Sequence, residues 1–285
     1  MVAECNAGRT PKRAFCQAGM WRCSYVDWGG TGDPVVLLHG ITSSAQAWWQ
    51  VAPPLVDQGY RVIAIDMPGH GQSATNDDHR IPALAALISA ALTTLDLQRV
   101  TLIGHSWGGA TSLALASDPV LATCLAQVVL VDPALRLTPE VGAERLAAGL
   151  EGVGQPPEVT KPLIERGNPD WHACDVSWKT DALRDCRASA VRGFWVASGD
   201  WDLSERCAAV AVPLLLMVCD AAYTVIPAPI LAQAERSLRP GLGEIVHVPG
   251  TTHSMMRGPG FTPTMQVLSA WLNRQRVPHE GNHHE

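Results

Sequence analysis

Val100-Thr101-Leu102-Ile103-Gly104-His105-Ser106-Trp107-Gly108-Gly109 runs from an apolar segment through Gly-x-Ser-x-Gly into Ala110 to Ala116, a small-residue stretch that reads as helix. The order strand, tight turn, helix gives the serine its meaning. A serine at the apex of such a turn must take up strained backbone angles, and the glycines two before and two after it let strand and helix approach closely. Its hydroxyl then projects beyond the carboxyl end of the strand, and the helix N-terminus faces any anion formed there.

Outward from this point, short runs without polar alternation recur at Val35–Leu38, Val62–Ile65, Val128–Val131, Leu214–Val218 and Ile245–Val248. Strands buried on both faces of a parallel sheet read this way. Ile81–Leu95, Gly108–Ala116, Ile230–Leu238 and Thr264–Arg274 between and after them are long enough for helices. The alternation predicts an α/β fold with a doubly wound, mostly parallel sheet. Met20–Trp28 reads as an antiparallel strand ahead of a Gly-rich turn. Residues 136–212 break the rhythm: they carry helical patterns and turn residues but no buried-strand run, and so read as a helical insertion. The expected organisation is a core of residues 1–135 and 213–285 interrupted by residues 136–212.

Composition bounds the function. Of 285 residues, 47% are apolar and 17% charged, against about 25% charged in an ordinary soluble protein. Disorder and nucleic-acid coating are therefore excluded. Lys and Arg total 21 against 27 Asp and Glu, and the net charge of −6 opposes a phosphate backbone or anionic membrane as partner. A small, poorly charged substrate is expected, with no nucleic-acid partner. The eight cysteines form no Cys-x-x-Cys pair and no metal-ligand spacing, so neither metal nor organic cofactor is expected. No segment has the ~18 apolar residues of a membrane span, and residues 1–20 lack the roughly 7–15-residue apolar run of a secretory signal. These features predict a cytoplasmic protein with cysteines used as small core residues; any disulfide is expected among Cys5, Cys16 and Cys23 or among Cys174, Cys186 and Cys207. His279, His283 and His284 in the polar tail read as exposed residues rather than ligands.

Ser106 needs a base. Among ten histidines, His253 follows the last expected strand on a loop at its carboxyl end, where open α/β sheets carry their sites. His247 lies within that strand and reads as a packing residue. Leu37-Leu38-His39-Gly40-Ile41 ends an earlier strand, and its glycine lets backbone N–H groups turn inward. The amides of Ile41 and Trp107 are thus the expected oxyanion donors, with His39 ordering the loop rather than acting as base.

Together, His39-Gly40, Gly104-His105-Ser106-Trp107-Gly108 and Gly250-Thr251-Thr252-His253 resemble the α/β-hydrolases of the serine esterase and lactonase type, over about Met20 to Leu272. Asp66-Met67-Pro68-Gly69-His70-Gly71-Gln72-Ser73 matches that family's structural turn after a strand. The resemblance implies that residues 136–212 form a cap, and that an ester or lactone is cleaved through an acyl-enzyme on Ser106. The acid departs from the pattern. Family members commonly carry Gly-x-x-Asp after the penultimate strand, where this chain has Cys219-Asp220-Ala221-Ala222. Asp132, at the end of the strand neighbouring the nucleophile strand, is the favoured acid; Asp220 is the alternative. Ten Trp against three Phe and three Tyr is the remaining anomaly. Trp48, Trp171, Trp178, Trp195 and Trp201 are expected to border the substrate, although anchoring large helices is the commoner use of Trp. The rival functions are a hydrolase-fold ligand receptor or lapsed enzyme, and a cofactor-free C–C hydrolase or lyase on the same fold.

Overall fold

The computed structural model describes residues 4–6 and 8–276, so the three tail histidines lie outside the described residues. The chain runs β1 (Lys12–Ala18), β2 (Trp21–Gly29), β3 (Pro34–Leu38), α1 (Ala52–Asp57), β4 (Arg61–Ile65), α2 (Ile81–Thr94), β5 (Val100–His105), α3 (Trp107–Ala116) and β6 (Leu125–Val131). There follow β7 (Arg136–Leu137), α4 (Pro139–Leu150), α5 (Pro157–Gly167), α6 (Ala173–Asp185), α7 (Ala188–Arg192) and β8 (Trp201–Asp202). The chain then completes the sheet with β9 (Leu214–Val218), α8 (Ala228–Ser237), β10 (Gly243–His247) and α9 (Phe261–Gln275).

Eight strands form one sheet in the order β1-β2-β4-β3-β5-β6-β9-β10, antiparallel at β1/β2 and β2/β4 and parallel elsewhere. The apolar runs are apolar on successive residues because both faces are covered. Val36, Leu38, Leu102, Val128 and Leu130 pack on the α2 and α3 side. Their neighbours Val35, Leu37, Ile103, Val129 and Val131 pack on the side that holds Leu55 of α1 and Trp271 of α9. Strand β1 escapes a search for buried runs because it is an edge strand that keeps Lys12, Phe15 and Gln17 exposed. The opposite edge corrects a second reading: His247 in β10 is exposed rather than packed, since no strand covers β10 on its outer side.

Residues 136–212 fold as α4 to α7, a π-helical turn at Gly193–Ala197 and a 3₁₀ turn at Ser204–Ala209. Their two ends meet in the β7/β8 ribbon, which pairs Arg136 with Asp202 and Leu137 with Trp201. Asp66 anchors the turn after β4. It is fully buried, accepts hydrogen bonds from Ser24 Oγ, the Ala45 amide and the Gln72 amide, and forms an ion pair with Arg13. Gly71 follows because a Cβ there would overlap the Asp66 carboxylate.

Cysteine use departs from the expectation. Cys5 and Cys174 form a disulfide with Cα atoms 5.2 Å apart, joining the amino-terminal segment to the start of α6. The bridge crosses between the two cysteine groups read from the sequence, because spacing along a chain says nothing of which distant segments the fold brings together. Cys16 and Cys23 face each other across β1 and β2 as thiols. Denatured, unreduced protein should therefore expose six thiols to a thiol reagent and eight after reduction; eight before reduction would remove the bridge.

Candidate active site

Chain order in the sheet reverses at β3: its successor β4 lies on one side and β5 on the other. A crevice opens at such a switch point, at the carboxyl ends of the strands. The turn after β3 carries His39, Gly40 and Ile41; the turn after β5 carries Ser106.

Ser106 sits at φ 53°, ψ −115°, between the end of β5 and the first residue of α3. Its backbone is held on both sides, the amide donating to Val131 O (3.0 Å) and the carbonyl accepting from Ala110 N and Ala134 N (3.0 Å each). This over-determination maintains a conformation that a free serine would leave, at a cost of about 1–3 kcal/mol. The flanking glycines are steric necessities. A Cβ on Gly104 would overlap the Gly108 carbonyl, and one on Gly108 would overlap the Leu38 carbonyl. The residue is 6% exposed, and among the described residues its hydroxyl makes no hydrogen bond.

His253 arrives from β10. Its ring lies 4.7 Å, centroid to centroid, from that of His105, whose Nε2–H donates to the His253 carbonyl at 2.8 Å. His253 Nδ1 donates to Asp132 Oδ2 at 2.6 Å, so a neutral imidazole presents a bare Nε2. Asp132 is fully buried with φ 39° and follows β6, the strand paired to β5. Its other donors come from the loop after β9: Thr224 Oγ1–H at 2.6 Å and the Val225 amide at 3.2 Å. That loop is where the usual acid was expected; here it supplies hydrogen-bond donors to an acid on the neighbouring strand. Thr224 carries no sequence signal that would have singled it out. Asp220 turns away, accepting from the Gly250 amide at 3.1 Å. Burial, with Asp132 alongside, pushes the Cys219 thiol up to about 12.

The turn after β3 is ordered by two histidines. His39 accepts from the Met67 amide on Nε2 (2.9 Å) and donates from Nδ1 to Gly40 O (2.7 Å). His70 accepts from the Thr42 amide on Nε2 (3.1 Å) and donates to Pro68 O (3.0 Å). Thr42 is held at φ 56°. The Ile41 and Trp107 amides, by contrast, donate to no acceptor among the described residues. Lys179 of α6 reaches the same turn, its Nζ donating to Thr42 O and Thr42 Oγ1 at 2.8 Å each.

The tryptophans divide. Trp48 is fully buried beside Leu55 and Val35 in the core layer, which corrects its assignment to the cleft: the 3₁₀ turn Ala45–Trp48 points it into the sheet. An aromatic series leads away from Trp107, the residue after Ser106: Trp107 lies against Phe194 at 5.8 Å, and Phe194 against Trp195 at 4.6 Å and Trp201 at 6.4 Å. Trp171 lies under the Arg257 guanidinium (4.6 Å), and Trp178 Nε1 donates to Cys5 O. Glycines make room for Trp195, since a Cβ on Gly142 or Gly149 of α4 would overlap it. No group of three or more His, Cys, Asp or Glu side chains is arranged to hold a metal among the described residues.

A family model described as the alpha/beta hydrolase fold matches residues 33–160. The chain is 39% identical to a non-heme chloroperoxidase of Burkholderia pyrrocinia over 127 residues, 43% of this chain and 46% of that protein. It is 41% identical to a 2-hydroxy-6-oxo-2,4-heptadienoate hydrolase of Pseudomonas putida over 91 residues, 30% of this chain and 33% of that protein. Each match thus spans less than half of the relative. An esterase from Exiguobacterium antarcticum superposes with a TM-score of 0.75 at 20% identity, covering 92% of this chain and all of that one.

The hydrogen bonding of His39 and His70 has a measurable consequence. Burial pushes the first imidazole down to about 4 and the second to about 3. An unfolded chain takes up these protons near 6.5 and the folded one does not, so stability should fall as the pH drops from about 6.5 toward 4. Nitrogen NMR of the imidazoles should find both rings neutral at pH 6; a charged His39 or His70 there would contradict the assignment.

Proposed function

Because the chain belongs to the α/β-hydrolase superfamily, a fold that hosts several chemistries, we propose from the site itself that it is a serine hydrolase of carboxylic esters or lactones. The observation that carries this reading is the His253 Nδ1–Asp132 Oδ2 hydrogen bond, which leaves Nε2 available on a ring packed against His105, the chain neighbour of the strained Ser106. Ser106 Oγ attacks the carbonyl as His253 Nε2 takes its proton, and Asp132 stabilises the imidazolium. The Ile41 and Trp107 amides, which have no acceptor of their own, receive the oxyanion. His253 then returns the proton to the leaving alkoxide. Water, deprotonated by the same histidine, attacks the acyl-enzyme and releases the acid.

Residues 136–212 act as a cap in this reading, supported by Lys179 on Thr42 and Phe194 on Trp107. The Cys5–Cys174 bridge favours an oxidising compartment. No described helix is long and apolar enough to cross a membrane.

A fluorophosphonate probe should label the wild type and not Ser106→Ala; no labelling of folded wild type would sink the enzyme reading in favour of a receptor. Asp132→Asn should lower ester turnover by about 10⁴ through the wrong imidazole tautomer, while Asp220→Asn stays within a few-fold of wild type. The reverse pattern would move the acid to Asp220.

A further inference from the structure

Two cations reach the turn that holds the Ile41 amide. Lys179 comes from α6 and bonds Thr42. Arg257, four residues beyond His253, is 8% exposed and donates from one terminal nitrogen to Ser43 Oγ at 3.3 Å. Neither has a carboxylate within ion-pair distance among the described residues. The acid that acts on Arg257 through space is Asp175, whose Oδ1 is taken by Trp49 Nε1 and whose Oδ2 is buried without a partner. The arrangement therefore sets two basic side chains against one carboxylate, in a place where burial of unpaired charge is costly. Burial, and then the charge of Arg257, pushes the Lys179 ammonium down to about 7, as expected of a cation lacking its counter-ion.

Anchoring explains part of this, since Arg257 stacks on Trp171 and Lys179 ties α6 to Thr42, but it leaves the number of cations unexplained. Holding the Thr42–Ser43 turn needs hydrogen-bond donors, which a neutral side chain supplies without the cost of a second buried charge. The other nitrogens of the Arg257 guanidinium are not sealed away unbonded, so they retain access to solvent. Both cations lie near enough to act on the His39 ring, and Arg257 also on the ring of His105, which contacts His253. An anion held by both would lie beside Thr42 and Ser43, next along the chain to the Ile41 amide. Composition alone suggested a poorly charged substrate; the local field asks for one negative group.

We propose that Lys179 and Arg257 form a carboxylate-binding subsite, so that the ester or lactone opened at Ser106 bears a carboxylate a few atoms from the scissile carbonyl. This rests on the serine-hydrolase reading, and the test separates the two. Three p-nitrophenyl or alkyl esters of matched length serve as probes: a glutaric acid monoester, with its acid on the acyl side; a butyryl ester of glycolic acid, with its acid on the alcohol side; and a neutral valerate ester. Wild type should favour one of the acids over valerate by at least about tenfold in kcat/KM, the scale of a charge-assisted pair. That ratio should fall to about one in both Lys179→Met and Arg257→Met. Equal use of all three esters by wild type would overturn the subsite. So would variants that slow acid and neutral esters alike, which would make the cations part of the oxyanion field. Calorimetry with glutarate on Ser106→Ala reads the subsite without chemistry: binding that is lost on adding Arg257→Met supports it even if no ester is cleaved, and no binding overturns it. Absent turnover together with absent fluorophosphonate labelling would instead mark failure of the hydrolase reading.

Discussion

Backbone meets backbone where α3 begins. Gly108 lies directly against the carbonyls of Leu38 and His39, and Gly104 against the carbonyl of Gly108, so three chain segments converge with no side chain between them. The rest of the site depends on this approach. It brings the turn after β3 beside the turn that carries Ser106, which is held at positive φ. A helix N-terminus and a strained serine are individually ordinary. Their use here follows from the closeness that only glycine permits.

Electrostatics around that point are arranged by hydrogen bonding rather than by exposed charge. His39 and His70 each have one ring nitrogen accepting from an amide and the other donating to a carbonyl, a pattern that only the neutral ring satisfies. Protonation would set a donor against a donor. His253 differs in having a carboxylate on Nδ1 and nothing of the protein on Nε2, the one arrangement of the three that stabilises a positive ring while leaving a basic nitrogen open. The three imidazoles share similar surroundings, and their partners assign them different work.

Residues 136–212 share the apolar core through Phe194, Leu203, Cys207 and Val210, and aromatic and charged contacts add to that attachment. Trp49 meets both His172 and Asp175, Trp171 lies under Arg257, and Lys179 holds Thr42. These contacts tie residues 136–212 to the rest of the chain, the anchoring use of Trp that is the commoner one. Trp48 is the exception, because its short 3₁₀ turn directs it into the sheet.

Local structure that depends on neighbours along the chain is legible in the residues alone. Buried strands declare themselves by uninterrupted apolar runs, and the Gly-x-Ser-x-Gly turn by its place between strand and helix; both are local consequences of steric exclusion and of water avoided on two faces. The edge strand β1 was missed because its half-exposed pattern gives no such run. What depends on distant segments meeting was decided by the tertiary structure alone. Two aspartates were compatible with the chain as read, and it is the pairing of β5 with β6 that sets Asp132 against His253 while Asp220 turns to Gly250. Thr224 behind Asp132, the Cys5–Cys174 bridge and the approach of Lys179 and Arg257 to one turn have the same origin. Sheet order and loop closure bring these groups together across a hundred residues or more in most cases, and no local propensity encodes that proximity.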